Sequence, residues 1–230
     1  MNIQDTHNLI LLIINKEQNA YFSHEEIDAV LDRAQLALFN DYHTNPKIPA
    51  QVQSAKYGES QRIDDALSIF KNRYVFTNAN TAGGVVTLPS DYMHLNSLYT
   101  TQFSNTLQRN VYASVQVLNE EELIERLESQ IIPVTPDDPI AIMNSQNRIQ
   151  LFPEVASSGG VYYFRRPLAP KFAYTQSGRT ITYNAGSSVH LEWRDYDVMN
   201  IISKAISYYG ISMSAGDVQQ FAEVKNNQGQ

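Results

Sequence analysis

Cysteine is absent from the chain, which excludes disulfides, zinc–thiolate sites and thiol nucleophiles together. Charge is thin: 18% of residues are Asp, Glu, Lys or Arg, with a formal net charge of −7. A pI near 5.2 speaks against a sequence-reading DNA-binding domain, which carries a basic face. It leaves open nucleic acid that merely passes by. Long apolar runs are lacking as well. Leu9-Ile10-Leu11-Leu12-Ile13-Ile14 is the longest, far short of the roughly 20 residues that cross a bilayer. Asp5 precedes it and no basic segment does, so a buried helix is expected rather than a signal peptide. The expectation is a soluble protein made in a reducing compartment, with no membrane partner.

Chemical motifs are missing too. His7, His24, His43, His94 and His190 show neither HxxxH nor HxH spacing, so no metal site is assigned. Asp64-Asp65 and Asp137-Asp138 are adjacent pairs, and neighbours on a helix or strand point apart. Phosphate-loop and dinucleotide-loop glycine spacings and a GxSxG elbow are not found. No catalytic, cofactor-binding or metal-ligating residue is therefore expected, and the protein reads as a non-enzyme.

What is present is a patterned fold. Asp5 or Thr6 can cap a first helix to about Asn19. Ser23 and Glu26 form a capping box, with Phe22 and Ile27 as staple. Ile27, Val30, Leu31, Ala34 and Leu38 then mark one buried stripe, leaving Asp28, Asp32 and Arg33 solvated. Prolines 46 and 49 make Thr44 to Tyr57 a connector. A third helix is expected from about Ser60 to Lys71, and a strand over Arg73 to Thr77.

The stretch Gly83-Gly84-Val85-Val86-Thr87-Leu88-Pro89-Ser90-Asp91-Tyr92 reads as a hairpin-type turn, a short strand stopped by proline, and a second turn. It is expected to be the hinge between helical and β structure. Between Tyr92 and Asn119 the only formally charged side chain is Arg109, which is hazardous at an open edge unless something covers it. Val111, Ala113, Val115 and Val117 alternate as in one half-buried strand. Asn119 caps a helix to about Ser129, whose glutamates suit the helix dipole. Strands are expected at Ile140–Met143, Arg148–Phe152 and Val161–Arg165, with Gly159-Gly160 as a turn, and a hairpin around Ser177-Gly178. Trp193 opens the last long helix, wedging it against a sheet, and Gly210 stops it. A final helix starts at Ser214, and Lys225 to Gln230 form a polar end.

The fold class expected is α+β. Residues 1–75 and 190–230 would form a helical bundle, and 76–189 a β-rich insertion with one short helix at 119–129. Tyr162, Tyr163, Arg165 and Arg166 look like interface anchors, as do Tyr99 and Tyr112 in the uncharged stretch.

In order, the capped helix Ser23–Asn40, the Gly83–Tyr92 junction, Tyr162-Tyr163-Phe164-Arg165-Arg166-Pro167, and Leu191-Glu192-Trp193 before Tyr208-Tyr209-Gly210 resemble the head-to-tail connector, or adaptor ring, proteins of tailed bacteriophages. The style is closest to the ring proteins of crAss-like phages. The resemblance implies a structural virion protein, made in the host cytoplasm and placed at the head–tail junction. It implies a homo-oligomeric ring, a dodecamer of about twelve copies, with the portal protein and neighbouring tail rings as partners. Double-stranded DNA would pass through without sequence-specific binding. The alternatives are another tail component such as a tail terminator, and a small hydrolase or ligand-binding domain of unfamiliar type.

Overall fold

The computed structural model describes residues 1–17, 22–44, 63–104, 108–145, 147–154, 158–178 and 180–210. Most of the expected connector, the start of the third helix, the final helix from Ser214 and the polar end lie outside them. The fold is mixed α+β. Its helices, among the described residues, are α1 (Ile3–Glu17), α2 (His24–Thr44), α3 (63–68), α4 (Glu120–Glu128) and α5 (Asp195–Tyr208). The strands are β1 (Lys71–Phe76), β2 (Val85–Thr87), β3 (Tyr92–Ser104), β4 (Arg109–Ser114), β5 (Gln116–Leu118), β6 (Ile140–Ser145), β7 (Arg148–Phe152), β8 (Ser158–Arg165), β9 (Tyr174–Ser177) and β10 (Thr180–Tyr183). They divide between two compact units, residues 1–69 with 167–230, and residues 70–166. No described helix is long and apolar enough to cross a membrane.

In the first unit, Asn2 caps α1 by accepting the Asp5 N–H at 2.8 Å, rather than the expected Asp5 or Thr6. The α2 capping box forms: the Glu26 N–H donates to Ser23 Oγ at 3.2 Å, and the Ser23 N–H donates to Glu26 Oε2 at 2.8 Å. Ile27, Leu31, Ala34, Leu38 and Phe39 are buried along α2, as are Val198, Ile201, Ile202, Ala205 and Ile206 along α5, and the two helices pack together. The Tyr42 hydroxyl adds a 2.7 Å bond to Asp197 at that contact. Trp193 precedes α5 and is 5% exposed. Its ring meets those of Phe39 and Tyr42 edge-on, so it braces α2 rather than a sheet.

The second unit is a sandwich of two four-stranded sheets, ordered β1-β8-β3-β4 and β2-β7-β6-β5. Phe76, Val86, Leu88, Leu98, Val115, Ala141, Ile149, Leu151, Val161 and Tyr163 fill the space between them. Every pairing is antiparallel except β5 with β6.

Three expectations are corrected here. Lys71 belongs to β1, because its partner Phe164 draws the chain into the sheet after α3. The single alternating strand over 111–117 is two strands in different sheets. Val115 crosses between them, its N–H held by Leu98 O at 3.0 Å and its side chain in the core. Gly159 and Gly160 lie inside β8, paired with β1 and β3 on either side, and form no turn.

Candidate interaction surface

The sheet β1-β8-β3-β4 contains no Asp or Glu; its charged residues are Lys71, Arg73, Arg109 and Arg165. Strand period carries Val161 and Tyr163 into the core, so Gly160 and Tyr162 face outward. Registry places Arg73 opposite Tyr162, Tyr99 opposite Gly160, and Tyr112 opposite Thr101. The outward side chains therefore converge. Arg73 Nε donates to the Tyr99 hydroxyl at 3.0 Å, and Nη2 reaches the same oxygen. The guanidinium lies 5.6 and 5.7 Å from the Tyr99 and Tyr162 ring centres, within cation–π range. Tyr99 meets Tyr112 edge-on at 5.6 Å and lies tilted against Tyr162 at 5.9 Å. The Tyr99 hydroxyl raises the already high Arg73 pKa, so the cation is permanent.

Tyr112 is 68% exposed and Tyr162 41%. Gly160 explains how Tyr99 lies so low on the sheet: a Cβ there would sit 2.7 Å from Tyr99 Cζ. Three of the tyrosines selected from sequence thus form one patch, centred on an arginine that sequence reasoning missed. Arg73 and Val75 alternate outward in β1, but pairing with β8 is a tertiary fact.

The other selected residues lie elsewhere. Tyr163 is 2% exposed and is removed as a surface contact. Its hydroxyl donates to Asp91 at 3.0 Å and accepts from Asn72 at 3.2 Å. Burial, then the Asp91 carboxylate, raises its pKa. Arg165 stacks over Phe70 at 5.6 Å, and the Arg166 N–H donates to Asp91 O at 2.8 Å.

The junction residues connect β2 of one sheet to β3 of the other, so they turn the chain between sheets rather than from helices into strands. Gly83 and Gly84 take φ of 63° and 77°, the left-handed region that glycine tolerates. The Gly84 N–H donates to Thr81 O at 3.2 Å, so they close a β-turn ahead of β2 and are not the tip of a hairpin. Leu88 is buried in the core and its N–H donates to Asn147 O at 2.8 Å. Pro89 O accepts the Tyr92 N–H at 3.1 Å, and the Tyr92 ring packs on Tyr163 at 5.9 Å.

A second cluster lies in the first unit. His7 is fully buried; its Nε2 contacts Asp28 Oδ1 at 2.9 Å and its Nδ1 contacts His24 Nδ1 at 3.1 Å. Asp28 also accepts the Phe172 N–H at 2.9 Å, and both imidazoles stack on the Phe172 ring. Asp28 is therefore not the solvated residue expected, because backbone and imidazole donors converge on it from outside α2. Burial, then repulsion by His7, lowers the His24 pKa.

An aspartate–histidine pair can orient a general base. Here both ring nitrogens of His7 are occupied and no face of it meets solvent, so the cluster serves as packing. The i, i+4 spacing of His24 and Asp28 was its only signal in the sequence. Among the described residues no group of three His, Asp or Glu is placed to hold a metal. The chain matches no protein-family model and no curated protein by sequence.

Proposed function

We propose that the protein is a structural, non-enzymatic virion component: the subunit of a head-to-tail connector ring in a tailed bacteriophage. It acts by self-association and by docking to the portal protein and adjoining tail rings, while duplex DNA passes through the centre without being read. In this reading α1, α2 and α5 belong to a helical bundle, and the strands carry the contacts between copies.

The observation that carries the reading is the Tyr99, Tyr112 and Tyr162 patch around Arg73. It lies on a sheet without carboxylates, beside the exposed edge strand β4. Tyrosine and arginine are the residues most enriched at energetically dominant interface positions, and an open edge of low charge calls for a covering partner. A closed ring needs two different surfaces of one subunit to meet repeatedly.

Electron microscopy of the purified protein, and of particles containing it, tests this. A ring with a central opening of about 20 Å or more, the width of the double helix, is expected. A compact monomer that stays monomeric when portal is present overturns the reading.

A further inference from the structure

Unit 70–166 carries a second exposed feature of opposite character. Helix α4 contains Glu120, Glu121, Glu122, Glu125 and Glu128 against the single cation Arg126. That cation is engaged: it bonds Ile132 O and pairs with Asp138, drawing the following loop against the helix. Between helix and loop lies a groove of about 380 Å³, lined by Gln116, Leu118, Glu122, Glu125, Arg126 and Ile132 among others. Its apolar wall is Leu118 and Ile132, the latter 55% exposed. Helix α4 packs on β6, which belongs to the sheet opposite the one that carries the tyrosine patch.

We infer that this groove receives Tyr112 of a second copy, with that copy's Arg73 facing Glu125. The inference rests on the ring reading and specifies its interface. Charge complementarity selects the occupant: the outward face of the tyrosine sheet presents Lys71 and Arg73 and no carboxylate, and the groove presents Glu122 and Glu125 beside an arginine already committed to Asp138. Shape agrees with charge. Tyr112 is the most exposed tyrosine of its sheet, and an aromatic ring with a polar tip suits a groove that has both apolar and acidic walls. Arg73 lies at the centre of the patch and Glu125 in the wall of the groove, and opposed charges of this kind set orientation and partner choice. Because the two features lie on opposite sheets, one copy joins the next head to tail and leaves its own second surface open.

The cysteine-free chain makes the test direct. Tyr112→Cys and Ile132→Cys variants are mixed and oxidised, and the parent's assembly is followed by mass photometry. A disulfide-linked heterodimer is expected from the mixture and from neither variant alone. Arg73→Glu and Glu125→Arg should each weaken self-association at least tenfold, and the double variant should restore it, which a folding defect in either would not allow. Assembly without the mixed crosslink, and without response to the charge reversals, overturns this interface and leaves the ring reading standing. A parent that stays monomeric at every concentration, with or without portal, overturns both.

Discussion

At position 160 the absence of a side chain is a packing requirement. Gly160 has ordinary backbone angles, and the Tyr99 ring occupies the space a Cβ would need. Gly160→Ala should destabilise the protein by about 1–3 kcal/mol, the cost of overpacking, measured by denaturant unfolding. The same change in a Tyr99→Ala background should cost much less. Gly178 supplies the contrast, since nothing lies within 4 Å of its Cβ position and its φ is +62°. Its replacement by alanine should cost about 1–2 kcal/mol through backbone strain alone, with no dependence on Tyr99.

His24 gives a pH prediction. Its folded pKa lies below the ordinary histidine value of about 6.5, through burial and repulsion by His7, partly offset by Glu25 and Asp28. The unfolded chain therefore binds that proton more readily. The contribution is fully present above about pH 6.5 and is lost as pH falls through the folded value. Thermal unfolding from pH 7.5 to 5 should show a falling midpoint, and His24→Phe should flatten the fall. An unchanged slope in the variant would contradict the assignment.

Among elements, α4 depends on its start. Asn119 Oδ1 accepts the Glu122 N–H at 2.8 Å, and Glu122 returns a bond to the Asn119 N–H at 3.3 Å. Only Leu123 is buried along it, so little tertiary packing compensates for a lost cap. Asn119→Ala should cost about 1 kcal/mol and raise amide exchange selectively over residues 120–128.

Elements with local causes were readable in the sequence. The Ser23 capping box, the Asn119 cap, the stripe from Ile27 to Leu38 and the stop at Gly210 each depend on residues a few positions apart. Where pairing between distant segments decides, local pattern misled. Alternation over 111–117 has the right period but cannot reveal that the chain changes sheets at Val115. Gly159-Gly160 carries the composition of a turn, and only Tyr99 and Phe76 across the sheet explain it as strand. The tyrosines of the patch were legible as unusual composition. Arg73 was not, since its role comes from a partner strand almost ninety residues away.

For the whole molecule, a net charge of −7 bears on what DNA can do in contact with it. Non-specific duplex binding comes chiefly from lysine and arginine neutralising phosphates. The purified protein should leave duplex DNA unretarded in a gel at about 50–200 mM salt. Tight binding at the upper end of that range would be incompatible with free passage of the duplex.

The uneven placement of charge in unit 70–166 has a kinetic consequence. The outward Lys71 and Arg73 of one sheet and the acidic helix on the other set charges of opposite sign apart within the unit. In the proposed ring, two copies approaching each other would be turned by that field before any side chains touch, positive end toward negative end. Added salt should therefore slow assembly far more than it lowers the final yield, because screening removes the steering and leaves the apolar contact intact.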